Sequence, residues 1–184
     1  MMQNLTVIFA HGRESGPWGT KIRALARVAE AHGSRVVSRD DRGTRDPEQR
    51  AAAMIAEARL VEGPLVLVGS SMGGYVAAMT AAAVPLAGLF LMAPAIGMPG
   101  YASPSPEPRT DRISIVHGWD DEVVPFDKVM AYARDRRAWL HIVPAGHTLV
   151  EQLDWLTHLF RIFLQSCEEG HERGTQRQRL LASL

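Results

Sequence analysis

Short apolar runs alternate along this chain with longer segments in which apolar positions recur every three or four residues. The runs at 5–10 (LTVIFA), 34–39 (SRVVSR), 64–69 (PLVLVG), 88–93 (GLFLMA), 112–117 (RISIVH) and 139–143 (WLHIV) predict β-strands. Several are apolar almost throughout, so both of their faces are expected to be covered, as in a parallel sheet flanked by helices. Between them the helical period predicts helices over 18–32, 47–61, 72–83, 125–136 and 148–166. Ile22, Leu25, Ala26, Val28 and Ala29 form the apolar stripe of the first. Asp46 and Pro47 supply an N-cap and a first helical residue for the second. Leu149, Leu153, Leu156, Leu159, Phe160 and Phe163 form the stripe of the last.

Strand alternating with helix predicts an α/β fold: about six mostly parallel strands with right-handed crossovers and helices on both faces. Ligands on such sheets gather beyond the C-terminal ends of the strands. Residues 94–110, rich in Pro, Gly and Ser, read as a surface loop near that edge. Neither an internal repeat nor a linker interrupts the pattern. Residues 1–168 therefore read as one domain, and the polar residues 169–184 as a C-terminal tail, either a frayed helix or disordered.

Composition narrows the partners. The 20 basic and 20 acidic residues balance, which argues against a nucleic-acid binder. The single cysteine, Cys167, excludes an intrachain disulfide and a cysteine metal cluster, and fits a reducing compartment. The amino-terminal run lacks a basic flank and is too short for a signal peptide. No apolar stretch reaches the roughly 18–20 residues of a membrane span. A cytoplasmic protein, monomer or homodimer, is expected.

The chemistry concentrates at Gly69-Ser70-Ser71-Met72-Gly73, a G-x-S-x-G pattern between an apolar strand and an alanine-rich helix. Such a turn lifts its central serine, Ser71, clear of the sheet, while small residues on either side let strand and helix approach. The N–H of Met72, at the start of the helix, is placed to donate to a developing oxyanion. The bland alternative is a glycine-rich turn in which Ser71 only caps the helix. Neither phosphate-binding glycine pattern, G-x-x-x-x-G-K-[ST] or G-x-G-x-x-G, occurs here.

A serine needs a base to take its proton, and the base needs an acid. His147 follows the last strand, and Asp120, Asp121 and Glu122 follow the fifth. His11 and His117 sit beside glycines at strand ends and read as structural. His32, His141, His158 and His171 have no neighbouring constellation, and no metal-ligand spacing occurs. No cofactor is implied.

Four segments, FAHGRESGP, GSSMGG, HGWDDEVVP and PAGH, together resemble the α/β-hydrolase superfamily over residues 9–147. The chain order serine, acid, histidine agrees. The segment 117–125 is similar to the family's H-G-x-x-D-x-x-V-P, which implies Asp121 as the acid and puts Asp120 out of register. His11-Gly12-Arg13 is similar to the family's H-G-x segment, implying the Arg13 N–H as second oxyanion donor; the Arg13 side chain pairs with Glu14 or meets an acidic substrate group. The family often has about eight strands, so the chain resembles a small, lidless serine esterase or thioesterase without the leading hairpin. The resemblance implies hydrolysis of small or exposed esters or thioesters through an acyl-enzyme. Trp18, Trp119, Met72, Ile96, Met98 and Tyr101 are the expected pocket walls. Two rival readings use the same features: a non-catalytic or very slow ligand-binding or signalling protein on this fold, and an interaction protein docking through residues 94–101.

Overall fold

The computed structural model describes residues 4–182, excepting the side chains of 172 and of 175–182. Six parallel strands form one sheet: β1 (Thr6–Ala10), β2 (Arg35–Ser38), β3 (Leu65–Ser70), β4 (Gly88–Met92), β5 (Ile113–Asp120) and β6 (Trp139–Gly146), in the spatial order β2-β1-β3-β4-β5-β6. Among the described residues five α-helices connect and cover them: α1 (Thr20–Ala31), α2 (Pro47–Ala58), α3 (Met72–Ala83), α4 (Phe126–Asp135) and α5 (Leu153–Ala182).

Residue alternation along the strands decides which helices cover which face. In register, Ile8, Leu67, Leu89 and Ile113 form a row on one face. That face buries Met54 of α2, Val76 and Ala77 of α3, and Val129 and Tyr132 of α4. Shifted by one residue, Phe9, Val68 and Phe90 face the other way, onto Ile22 and Leu25 of α1 and Phe160 and Phe163 of α5. Rings of Phe90 and Phe160 meet edge-on at 5.1 Å between centroids. Each such large apolar side chain contributes about 2 kcal/mol on burial. Asp46 caps α2, accepting from the N–H groups of Glu48 and Gln49 at 2.8 and 3.3 Å.

The strand order reverses beside β1. The chain leaves β1 toward β2 on one side and returns to place β3 on the other. The C-terminal ends of β1 and β3 therefore lie side by side, with Ala10 opposite Gly69, and the loops after them diverge to opposite faces. Glycine enforces the close fit there. A Cβ on Gly73 would stand 2.1 Å from the Ala10 carbonyl oxygen, and one on Gly69 2.2 Å from the Gly73 carbonyl oxygen.

Two strands depart from the sequence expectation. Strands β5 and β6 run on to Asp120 and Gly146, beyond the expected ends at 117 and 143, because they pair with each other past a register shift between Gly118 and Asp120. Gly118 permits that approach, since a Cβ there would meet the Ala145 carbonyl oxygen at 2.1 Å. Pro144 is tolerated in β6 because it is an edge strand, paired only with β5. Of the two forms expected for the tail, the backbone takes the helical one and continues α5 as far as Ala182; residues 183 and 184 lie outside the described residues. Among the described residues no helix is long and apolar enough to cross a membrane.

Gly73→Ala is expected to destabilise the protein by about 3 kcal/mol or more, since two stretches of backbone must part to admit one methyl group. Gly43→Ala, where a Cβ meets nothing within 4 Å, is expected to change stability by less than about 0.5 kcal/mol. Urea denaturation of the two variants against the parent checks the contrast.

Candidate active site

Between β3 and α3 the backbone at Ser71 takes φ 55° and ψ −122°, a region that costs a serine about 1–3 kcal/mol. The turn is held on both sides. The Ser71 N–H donates to the Met92 carbonyl at 3.0 Å, and the Ser71 carbonyl accepts from Gly74 at 2.9 Å and Ala95 at 3.0 Å. Ser71 stands at the N-cap of α3, yet its hydroxyl makes no capping bond. The oxygen lies instead 2.9 Å from Nε2 of His147, which removes the helix-cap alternative. Ala93 and Leu149 also have positive φ, 43° and 57°, so uncommon backbone geometry gathers around this edge.

His147 follows β6, and its Nδ1 lies 2.8 Å from Oδ2 of Asp121. The Asp121 side chain is 1% exposed and the His147 ring 22%. The second Asp121 oxygen, Oδ1, accepts from the N–H groups of Val123 and Val124, both at 2.9 Å. Burial alone would raise the Asp121 carboxyl. The Val124 N–H, the His147 ring and the Val123 N–H outweigh it, and the group sits below its ordinary value. An ionised carboxylate only accepts, so Nδ1 of His147 carries the proton and Nε2 is left to accept from the Ser71 hydroxyl. Asp120 and Glu122, the competing acids, are exposed.

His117 is fully buried behind Asp121. Its Nε2 donates to the Val124 carbonyl at 3.2 Å, and Nδ1 faces the Asp121 carboxylate at 3.6 Å without a hydrogen-bond partner. Burial holds the imidazole below its ordinary pKa, against the pull of Asp121.

The loop after β1 closes the other side. A Cβ built on Gly12 would lie 3.5 Å from Cβ of Ser71 and 3.6 Å from the Ser70 carbonyl oxygen. Among the described residues, no hydrogen-bond acceptor meets the backbone N–H of Arg13 or of Met72. The Arg13 side chain, 58% exposed, pairs loosely with Glu14 at 3.7 Å. Behind the loop lies a charged side chain that the sequence reading passed over. Arg50 of α2 is 2% exposed and donates from Nε to the Thr44 carbonyl and from Nη1 to the carbonyls of Gly12 and His11. The signal was its phase: Arg50, Met54 and Ala58 share one buried stripe of α2.

The expected walls divide. Trp18 and Trp119 are exposed, Trp119 over the Phe126 ring at 5.5 Å. Met72 and Ile96 are 2% and 1% exposed and belong to the core, so they offer a ligand almost no side-chain surface. Met98 and Tyr101 pack partly against that core, Tyr101 on Tyr75 at 4.6 Å. Residues 94–96 are buried, so the apolar part of the loop faces inward rather than offering a docking surface. The loop is also strapped down. Ala102 donates to Glu48, Ser103 to the Tyr75 hydroxyl, and Lys128 to the Gly97 carbonyl. Among the described residues no group of His, Cys, Asp or Glu is arranged to hold a metal ion.

Two outcomes follow from the site's geometry. Ser71→Gly is expected to be more stable than Ser71→Ala by about 1 kcal/mol in urea denaturation, because glycine adopts the positive φ without strain. His117 and His141, both held low by burial, bind protons less readily in the fold than in the unfolded chain. Their contribution to stability is complete above the ordinary histidine value of about 6.5 and declines as pH falls below it. Asp121 contributes no slope there, because its window lies below the ordinary carboxylate range. Urea denaturation at pH 7.5 and 5.5 should show the loss, and His117→Gln, which keeps a donor for Val124, should reduce it.

The model of the alpha/beta hydrolase family matches residues 7–175. A Xanthomonas campestris protein assigned as a hydrolase of the α/β superfamily superposes with a TM-score of 0.81 at 35% identity, covering 89% of this chain and 99% of that one. An α/β serine hydrolase without a lid, also from Xanthomonas campestris, gives 0.68 at 22% identity over 90% and 83% of the two chains. The type II thioesterase BorB from the borrelidin biosynthetic cluster gives 0.67 at 18% over 89% and 92%. No functionally curated protein matches the sequence. A family match over nearly the whole chain, on a six-stranded parallel sheet without a cap domain, places this protein in the alpha/beta hydrolase family.

Proposed function

We propose that this chain is a serine hydrolase that cleaves small or solvent-exposed carboxylic esters or thioesters through an acyl-enzyme. The observation that carries the reading is the continuous hydrogen-bonded chain from Ser71 Oγ through His147 to Asp121, at 2.9 and 2.8 Å, assembled from three different strand ends.

The chemistry follows from the tautomer. Nε2 of His147 takes the hydroxyl proton as Ser71 Oγ attacks the substrate carbonyl, and the new imidazolium is stabilised by the buried Asp121 carboxylate. The N–H groups of Arg13 and Met72, which meet no acceptor among the described residues, receive the negative charge on the former carbonyl oxygen. His147 then protonates the departing alcohol or thiol. Water, deprotonated by the same imidazole, releases the acid and restores the serine.

The open edge bears on substrate choice. With residues 94–110 strapped to α2, α3 and α4, nothing in the described structure covers a long acyl chain. A short acyl group, or one held out by a carrier as a thioester, suits such a site. The similarity to a lidless serine hydrolase and to a thioesterase agrees with this reading.

Ser71→Ala is expected to lower p-nitrophenyl acetate turnover by about 10³-fold or more and to abolish labelling by a fluorophosphonate probe, with the fold retained by circular dichroism. Full labelling of that variant would defeat the assignment. Ligand-induced thermal stabilisation of the parent protein without product release would instead favour a binding or signalling role.

A further inference from the structure

We infer that Arg50 is a positioning residue for the oxyanion hole: with His11 it clamps the Gly12 carbonyl, and so fixes and polarises the peptide group whose other end is the Arg13 N–H. The inference rests on the proposed serine hydrolase reading and adds a residue that the family motifs do not include.

Burial poses the problem. Arg50 occupies the apolar stripe of α2 at 2% exposure. Among the described residues no carboxylate lies within ion-pair distance of it. Asp41 attracts it from beyond contact, but a buried charge without a direct ion pair still costs several kcal/mol, and a methionine would fill the same stripe without that penalty. The guanidinium is directed at carbonyls instead: Nε to Thr44 at 2.8 Å, and Nη1 to Gly12 at 3.2 Å and His11 at 3.4 Å.

The Gly12 oxygen receives a second donor. His11, 1% exposed, places Nδ1 2.7 Å from it, while Nε2 accepts from the Asp41 N–H at 3.1 Å. A carbonyl cannot donate and an amide N–H cannot accept, so the ring is the Nδ1–H tautomer. One peptide oxygen thus holds an imidazole N–H and a cationic N–H together.

The Gly12 carbonyl and the Arg13 N–H belong to the same peptide group. No cis bond occurs among the described residues, so the N–H points opposite to the carbonyl, away from Arg50 and His11. Gly12 itself lies against Ser71. Donors on a peptide oxygen draw density from the nitrogen and make its N–H a stronger donor. They also fix the peptide plane, which is what a preorganised oxyanion site requires. Arg50 touches no reacting atom and acts through the Arg13 amide.

The test compares Arg50→Gln and Arg50→Lys with the parent, and with Met54→Ala, a cavity variant on the same stripe. With p-nitrophenyl acetate, kcat and kcat/KM of Arg50→Gln are expected to fall together by about tenfold or more. KM should stay within about twofold. Phenylboronic acid, which forms a tetrahedral adduct on a reactive serine, should bind more weakly by a similar factor. Arg50→Lys keeps the charge but loses the fork, and should recover part of the loss. Met54→Ala should lose stability while keeping its kcat. Arg50 variants with parental kcat, or a loss no greater than that of Met54→Ala, overturn the inference. Should both Arg50 variants fail to fold, NMR of the parent decides. Adduct formation should shift the Arg13 amide proton and the Arg50 side-chain N–H signals together, and an unmoved Arg50 overturns the inference. Parental activity in Arg50→Gln alongside an inactive Ser71→Ala rejects the role of Arg50 alone. An active Ser71→Ala rejects the serine hydrolase reading itself.

Discussion

One close approach governs the C-terminal edge of the sheet: α3 begins in direct contact with the ends of β1 and β3. The gap is so small that a methyl group on Gly73 would overlap the Ala10 carbonyl, and one on Gly69 would overlap Gly73. To enter a helix at that distance the chain must reverse within one residue, and Ser71 takes the positive φ. The same reversal lifts the hydroxyl off the helix it would otherwise cap. It also leaves the first N–H of α3 without an acceptor among the described residues. Strain, hydroxyl exposure and a free donor therefore share one steric cause.

The topology supplies the other half. Because the strand order reverses at β1, the loop carrying Gly12 and Arg13 arrives beside Ser71 without any long insertion. Strands β5 and β6 extend past the sheet core and pair as far as Asp120 and Gly146. That pairing brings Asp121 and His147, each the next residue after its strand, to hydrogen-bonding distance. The register shift at Gly118 belongs to the same device, since it adjusts how the two extensions meet.

Much of this was readable before any coordinates. The apolar runs marked β1, β3, β4 and β5 because buried parallel strands carry no alternation to disguise them, while the half-buried edge strands β2 and β6 were marked by their Val, Leu, Ile and Trp residues. The G-x-S-x-G spacing and the HGWDDEVVP segment marked Ser71 and Asp121 because their backbones need glycine and a fixed register. The extensions of β5 and β6 were hidden because Gly118, Asp120, Pro144 and Gly146 are poor strand formers, held there by pairing alone. Ile96 read as a pocket wall because an apolar residue in a loop looks exposed, whereas the Ser71 turn and the straps from Glu48, Tyr75 and Lys128 draw that loop onto the core. Arg50 was missed for the opposite reason: a charge is read as solvent-facing by default. Its phase with Met54 and Ala58 was the contrary sign.

The fixed charges make sense as a pair. In the proposed attack, a proton leaves Ser71 for His147 while negative charge grows on the substrate oxygen, so the transition state is a dipole. Asp121 lies behind its positive end, buried and held ionised by the N–H groups of Val123 and Val124. Arg50 lies behind its negative end, one peptide removed, with His11 on the same oxygen. Both charges are buried, so neither loses its field to water as an exposed ion would. Each is held by backbone groups, so neither must move as the dipole forms. On this view the open, lidless edge is no handicap to the chemistry. Water reaches the substrate side, while the groups that answer the developing charge sit behind the serine and the loop, where the core already excludes it.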